Sequence, residues 1–536
     1  MVLRITDQIS ATSPQDDPFD QLLGHFGRWQ LLVYGAVSLV KLSSGWVQMA
    51  ILFLTPNLTF RCSNLTMDYG NDMMLNSTFA SGGGFLNGTV AGVNGSSSFL
   101  NTTTADSFDG YYIEVLNNTC YSNCKKYEYD ATPFDNTIVS EWDLVCERRW
   151  LASFTQMVLQ LGVLIGSIVF GFLSDRFGRK NTFLFAVTTV IAFGFGVPFS
   201  PNYTVFTVVR FLLGMATAGS MVVSFVIVME TVGAKYRAIV GCLFQIPFII
   251  GHMTVPLFAY FYRSWDQYSL AMAIPPLIYL GYFCILTESP RWLFSVGRLD
   301  EAAEIVKKAA LINRRPIGKI EETLRAMSIE QSSSAPKDKP NYSSLFHGSL
   351  WLTTICCCVV WLVTGVTFFG VNQYISQTSP DPFVSVAVAG AIQIPSNFFA
   401  MWLIGQLGRK ATTITFLTLG GLCIITLGCV PNIFALTLTL GSLGVSCASI
   451  VATTIYIYTS ELYPTVVRNM GMGASSMAMR IGSMLAPFIS NVTIPWLPTV
   501  IFGLAPIAAG LVCLCLPETK GRNLPDTLED VKNENR

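Results

Sequence analysis

Twelve apolar runs constrain this chain more than any other feature. The first occupies 31–54. Others follow at 151–173, 181–199, 204–230, 238–261, 268–287, 349–370, 382–404, 411–430, 434–460, 470–490 and 496–516. About 20 consecutive apolar residues carry a helix across a bilayer core roughly 30 Å thick. Charged residues make up only 12% of the chain, about half of what a soluble protein carries. The expected fold class is therefore an all-α membrane protein of 12 transmembrane helices. Net charge is zero, so there is no basic footprint for nucleic acid. The histidines, His25, His252 and His347, are too far apart to suggest a metal motif, and no cofactor is expected.

The runs fall into two copies of one unit. Gly171 to Lys180 reads Gly-Phe-Leu-Ser-Asp-Arg-Phe-Gly-Arg-Lys, and Gly405 to Lys410 reads Gly-Gln-Leu-Gly-Arg-Lys. Gly178 and Gly408 are 230 residues apart. Glu230 and Arg237 match Glu461 and Arg468, and Glu288 matches Glu518, in nearly the same register. Four such pairs predict two parallel six-helix bundles, the repeat architecture of a transporter. The expected domains are a cytoplasmic N-terminus at 1–30 and a first bundle at 31–287. A cytoplasmic linker at 288–348, a second bundle at 349–516 and a cytoplasmic tail at 517–536 complete the chain.

The first bundle contains a polar insertion at 56–149. It carries Asn-x-Ser/Thr sequons at Asn57, Asn64, Asn76, Asn87, Asn94, Asn101 and Asn117, with Cys62, Cys120, Cys124 and Cys146. Clustered sequons and an even set of cysteines indicate an extracellular, glycosylated loop with two disulfides. Three connectivities are open. The links after the second and fourth runs are basic, which puts them and both termini on the cytoplasmic side. Residues 1–28 lack the order of a cleaved signal, so the first run is expected to act as an uncleaved anchor. In the linker, Ala302, Ile305, Val306, Ala309 and Ile312 form one stripe and Ile320, Leu324 and Met327 another, the pattern of amphipathic helices. The cysteines within the runs read as small apolar fillers.

Asp175-Arg176-Phe177-Gly178-Arg179-Lys180 after the second of twelve runs resembles the major facilitator superfamily. The long sequon-rich loop ending Ser140-Glu141-Trp142-Asp143-Leu144-Val145-Cys146 narrows the resemblance. So does Tyr456 to Asn469, with Thr459-Ser460-Glu461-Leu462-Tyr463-Pro464. Together they resemble the organic cation/anion/zwitterion transporter family of the solute carrier 22 type, closest to its organic cation/carnitine branch. The resemblance implies a plasma-membrane transporter of small organic ions working by alternating access. It also implies a cytoplasmic gate, in which Asp175, Arg176 and Arg179 act with Glu230, Arg237, Glu461 and Arg468 to hold the halves together. Organic anion transport is the next reading, and a sugar porter, which shares the motif after the second run, is a third.

Charges within a span usually line a cavity. Lys41 lies about 18 Å and Arg480 about 15 Å into their runs at 1.5 Å per residue, near mid-bilayer, where a substrate site is expected. No Asp or Glu lies near the middle of a run. The resemblance implies that cation-selective members have acids where Gln393 and Arg480 stand, so this chain departs from the pure cation pattern. Arg210 reads as structural. Trp46, Trp361, Phe368 and Tyr456 are candidate walls for a cationic group, and Gln48, Gln160, Gln245 and Thr453 candidate neutral partners. The expected substrate contacts are Arg480, Lys41, Gln393, Phe368, Trp361, Tyr456 and Thr453. The expected partners are a small organic ion and the bilayer; the sequence names no coupling ion and no oligomeric state. A receptor would place all function in the loop. An enzyme lacks a nucleophile–base or metal constellation, and a channel lacks a filter.

Overall fold

The computed structural model describes residues 18–65, 90–92, 111–113, 118–120, 124–318, 320–333, 345–346, 350–430, 433–464, 467–492 and 494–521. Two compact units emerge, one built from Met1–Phe53 with Ser153–Arg536 and one from Leu54–Ala152.

The larger unit is helical. Its first half contains α1 (Arg28–Leu54), α2 (Trp150–Phe177), α3 (Arg179–Gly196), α4 (Tyr203–Thr231), α5 (Lys235–Phe261) and α6 (Trp265–Ile285). Its second half contains α7 (Leu350–Thr378), α8 (Pro382–Leu407), α9 (Arg409–Cys429), α10 (Phe434–Leu462), α11 (Arg468–Ser490) and α12 (Leu497–Cys513). Among the described residues nine of these are long and apolar enough to cross a membrane, against the twelve expected. The other three are helices at the expected places. α3 has 18 residues and opens on Arg179-Lys180-Asn181. α11 is rich in Gly, Ser and Met and carries Arg468 and Arg480, and α12 has only 17 residues. Large apolar side chains such as Phe172, Ile278 and Leu504 point outward, as a helix bundle in lipid requires.

The repeat is visible as backbone geometry. α2 and α8 stop at Gly178 and Gly408, whose φ values are +95° and +91°, where L side chains are strained. A Cβ at Gly178 would run into the Glu288 carboxylate, and one at Gly408 would come within 2.7 Å of Glu518 Oε2. The two glycines let one acid approach each turn.

α5 is interrupted between Leu243 and Ile246, where Gln245 takes the N-cap position of the following segment. Beyond α6, helices Leu299–Ile312 and Ile320–Ser333 pack with Phe19, Leu23 and Trp29. Ala302, Val306, Ala309, Ile320 and Leu324 are buried there as their periodicity predicts, but Ile312 is 42% exposed because the helix ends at it. Asn313 fastens this cluster to α1. It donates to the Leu23 carbonyl at 3.0 Å and to Gln30 Oε1 at 2.8 Å, and accepts from the Trp29 N–H at 2.9 Å.

Among the described residues the smaller unit has two antiparallel pairs, β1 (Phe60–Leu65) with β4 (Cys124–Tyr129), and β2 (Val90–Gly92) with β3 (Tyr111–Ile113). Cys62 pairs with Cys124 and Cys120 with Cys146, which resolves the connectivity. Tyr129 donates to Asp143 Oδ1 at 2.9 Å; burial and that carboxylate push its phenol up. Asn57 and Asn64 belong to this unit, whereas Asn76, Asn87, Asn94, Asn101 and Asn117 lie outside the described residues. Among the cysteines in the runs, Cys356, Cys357, Cys447 and Cys513 are buried, but Cys429 and Cys515 are exposed.

Candidate functional site

A cavity of about 1300 Å³ lies between the two halves. Its walls run from Lys41, Gln393 and Arg480 at mid-depth to Arg237, Arg409, Glu461 and Lys520 at the end that carries the charged clusters. At the opposite end the halves touch. Asn491 donates to Ser153 Oγ at 2.7 Å, and Ser153 donates to the Pro487 carbonyl at 2.9 Å. Phe383 of α8 stacks on Phe53 of α1 at 5.5 Å, with Tyr260 of α5 edge-on at 5.8 Å.

The break in α5 holds the first cation. Lys41 Nζ donates to Gln245 Oε1 at 3.2 Å and sits 5.0 Å from the Phe244 ring. Arg480, on α11, faces the same cavity, and among the described residues its guanidinium has no hydrogen bond or ion pair. Two basic side chains therefore face one space from different halves, and the acids that line it, Glu461 and Glu518, belong to the charged end.

The other expected contacts divide. Gln393, Phe368, Tyr456 and Thr453 line the cavity. Thr453 donates to Asn397 Oδ1 and to the Ser449 carbonyl, the latter at 3.1 Å. Trp361 does not line it. This side chain is fully buried, donates from Nε1 to Thr459 Oγ1 at 2.8 Å and packs edge-on against Tyr456 at 4.4 Å. An indole with a satisfied N–H in the core props the tyrosine instead of meeting substrate. Trp46 is likewise turned aside, bonded to Thr254 Oγ1 at 2.8 Å. Gln48 and Gln245 reach the cavity, while Gln160 is buried away from it. Arg210 is buried against Phe206 at 5.5 Å and donates to Gln156 Oε1 at 2.8 Å.

Asn397, Met221 and Phe225 also line the cavity without having been expected. Asn397 lies one helical turn from Gln393, so i,i+4 spacing was a usable signal. Met221 and Phe225 share that spacing, but nothing apolar marks a cavity face over a packed one.

At the charged end each half carries a complete cluster of its own. Arg179 bonds Glu230 at 2.8 Å and Asp175 at 3.0 Å, while Glu288 accepts from the N–H groups of Arg179 and Lys180 at 2.8 and 3.0 Å. In the second half Arg409 bonds Glu461 at 2.7 Å, and Glu518 accepts from the N–H groups of Arg409 and Lys410 at 2.9 and 3.0 Å. Ser289 and Thr519 donate to Glu230 and Glu461. Arg237 and Arg468 donate from Nε to the carbonyls of Val232 and Tyr463, at 3.1 and 3.3 Å. Arg176 lies 5.7 Å from the Phe177 ring. The Arg179–Glu230 and Arg409–Glu461 pairs thus close inside each half, because each arginine opens a helix beside its own half's acid. Asp175 is peripheral, with its side chain 77% exposed. Burial pushes the Glu518 carboxyl up, but the surrounding backbone N–H groups outweigh it and hold this acid below its ordinary range.

The family model described as sugar (and other) transporter matches residues 76–530. The organic cation transporter protein of Drosophila melanogaster is 30% identical over 523 residues, covering 95% of this chain and 93% of that protein. The organic cation/carnitine transporter 2 of Mus musculus is 35% identical over 413 residues, covering 76% and 73%. Among solved structures, the xylose transporter XylE from E. coli in an inward open conformation superposes with a TM-score of 0.57 at 18% identity, covering 72% of this chain and 90% of that one. At that identity the likeness concerns the fold alone.

Proposed function

This chain belongs to the sugar (and other) transporter family of the major facilitator superfamily and, within it, to the organic cation/carnitine transporters of solute carrier family 22, and from that premise we propose that it carries small zwitterions of carnitine type across the plasma membrane. The observation that carries the substrate class is Arg480, whose guanidinium has no hydrogen bond or ion pair among the described residues and faces a cavity whose mid-depth walls are, Lys41 apart, aromatic and neutral. A guanidinium keeps its proton at any ordinary pH. Leaving it unpaired near mid-bilayer is costly by several kcal/mol, and its planar fork fits a carboxylate bidentately. Tyr456 and Phe368 offer ring faces to the cationic end of the same molecule. Organic anions are the second reading, favoured by a second basic side chain, Lys41, on the facing half.

In this reading all twelve helices span, and the 56–149 segment is extracellular. The end rich in Arg179, Lys180, Arg409 and Lys410 is cytoplasmic by the positive-inside rule. Both termini then lie in the cytoplasm, and the cavity is the inward-facing substrate site. The two halves rock about it to expose it alternately, and the Arg179 and Arg409 clusters brace the cytoplasmic end of each half.

The deciding experiment is uptake into proteoliposomes of carnitine, tetraethylammonium, benzoate and xylose in parallel. Carnitine is expected to accumulate fastest. Uptake of xylose alone, or of none of the four, would sink the reading.

A further inference from the structure

Gln393 and His252 meet across the boundary between the halves. Gln393 Nε2 lies 2.9 Å from His252 Nδ1 and donates to the Ala389 carbonyl, also at 2.9 Å. The orientation of an amide is an assignment made from its hydrogen bonds, and here the partners fix it. A backbone carbonyl only accepts, so the atom facing Ala389 must be the nitrogen. That nitrogen uses its second hydrogen on His252, so His252 Nδ1 must be the unprotonated ring atom. Gln393 Oε1 is left with no protein partner among the described residues, on a side chain that lines the cavity. His252 is fully buried and does not line the cavity. Close backbone approach beside the pair holds the register, since a Cβ at Gly390 would come within 2.6 Å of the Met253 Cα.

We propose that His252 is a positioning residue for substrate selection, holding the Gln393 amide so that its carbonyl oxygen, and not its nitrogen, faces the substrate. The oxygen is the negative end of the amide dipole. It favours the cationic end of a zwitterion and disfavours a second carboxylate, complementing Arg480, which favours the anionic end. Without His252 one amide hydrogen loses its partner and the Ala389 carbonyl alone holds the nitrogen, so the amide is held less firmly and presents its oxygen to the substrate less uniformly. The helices involved belong to different halves, so the second hold on the amide exists only while α5 and α8 keep this register.

The inference rests on zwitterion transport as proposed above, and the test separates the two. KM and maximal rate for carnitine, tetraethylammonium and benzoate are measured in wild type, His252→Phe, His252→Asn, Gln393→Glu and the double variant His252→Phe/Gln393→Glu, with surface protein quantified. No carnitine uptake by wild type overturns the function itself. Given uptake, His252→Phe is expected to raise KM for carnitine and tetraethylammonium roughly ten-fold, the effect of about one hydrogen bond to a charged group. KM for benzoate stays unchanged or falls. His252→Asn, whose side-chain oxygen accepts from the same amide, restores most of the loss. In the Gln393→Glu background, where either carboxylate oxygen serves, His252→Phe adds nothing further to KM. His252→Leu replaces the phenylalanine variant, read in the same way, if the latter fails to reach the surface. An equal rise for all three substrates, or a full additional rise in the Gln393→Glu background, overturns the proposal.

Discussion

Asn491 donates its amide to Ser153 across the boundary between the halves, at the end opposite the charged clusters. This contact closes the cavity's far end together with the Phe53–Phe383 stack. Cysteines placed at both positions and joined by a short thiol cross-linker should therefore hold the far end shut. Uptake is expected to fall to background and return on reduction. Undiminished uptake in a protein shown to be cross-linked would mean that this end does not have to part.

Arg480 should set charge preference. In Arg480→Gln, carnitine and benzoate uptake are expected to fall at least ten-fold, since a charge-assisted bidentate pair is lost, and tetraethylammonium uptake to fall less. Equal loss across substrates at equal surface level would make Arg480 structural.

The exposure of Asp175 ranks the cluster variants. An exposed i,i+4 pair contributes a few tenths of a kcal/mol, whereas Glu230 meets both Arg179 and Ser289. Glu230→Gln should slow transport several-fold more than Asp175→Asn, and Glu461→Gln should behave as Glu230→Gln does. Initial rates normalised to surface protein test the order, and an Asp175→Asn defect as deep as that of Glu230→Gln contradicts it.

Glu518 gives an acid-side signature. Its carboxyl is held below its unfolded value by backbone N–H groups, after opposing burial. A depressed acid contributes stability that is present above the unfolded value and lost as pH falls through the folded one. Thermal stability of purified protein should thus show a loss below the ordinary carboxylate range, near pH 4 and lower, that is smaller in Glu518→Gln. Identical acid-side slopes would refute the assignment.

The disulfides of the smaller unit close segments with sequence separations of 62 and 26 residues, and each contributes on the order of 3–4 kcal/mol in a loop-entropy account. Cys120→Ser is expected to reduce surface delivery while the helices still insert. Glycosidase should shift the mobility of wild type; an unshifted band from glycosylating cells would overturn the assigned sidedness.

Much of the larger unit was legible because lipid imposes run length and repeat register imposes pairing. Gly178, Glu230 and Glu288 could be matched to Gly408, Glu461 and Glu518 by counting alone. Lys41 and Arg480 stood out because a charge in an apolar run is rare. Trp361 failed because the side of a helix that an aromatic ring takes depends on a partner, here Thr459, that lies 98 residues away. His252 went unmarked for the same reason: nothing within its own helix announces Gln393. The partition of the charged clusters was also hidden, because spacing says which residues match, not whether a bond closes within a half or between halves.

That partition bears on the energetics of the transport cycle. With Arg179 held by Glu230 and Arg409 by Glu461, the two halves separate at this end without breaking either ion pair. Each half then behaves as a braced lever whose brace travels with it. The activation barrier for reorientation falls instead on wetting and drying the cavity walls and on parting the Ser153–Asn491 side, so the turnover number should respond more to substitutions there than to ionic strength at the braced end.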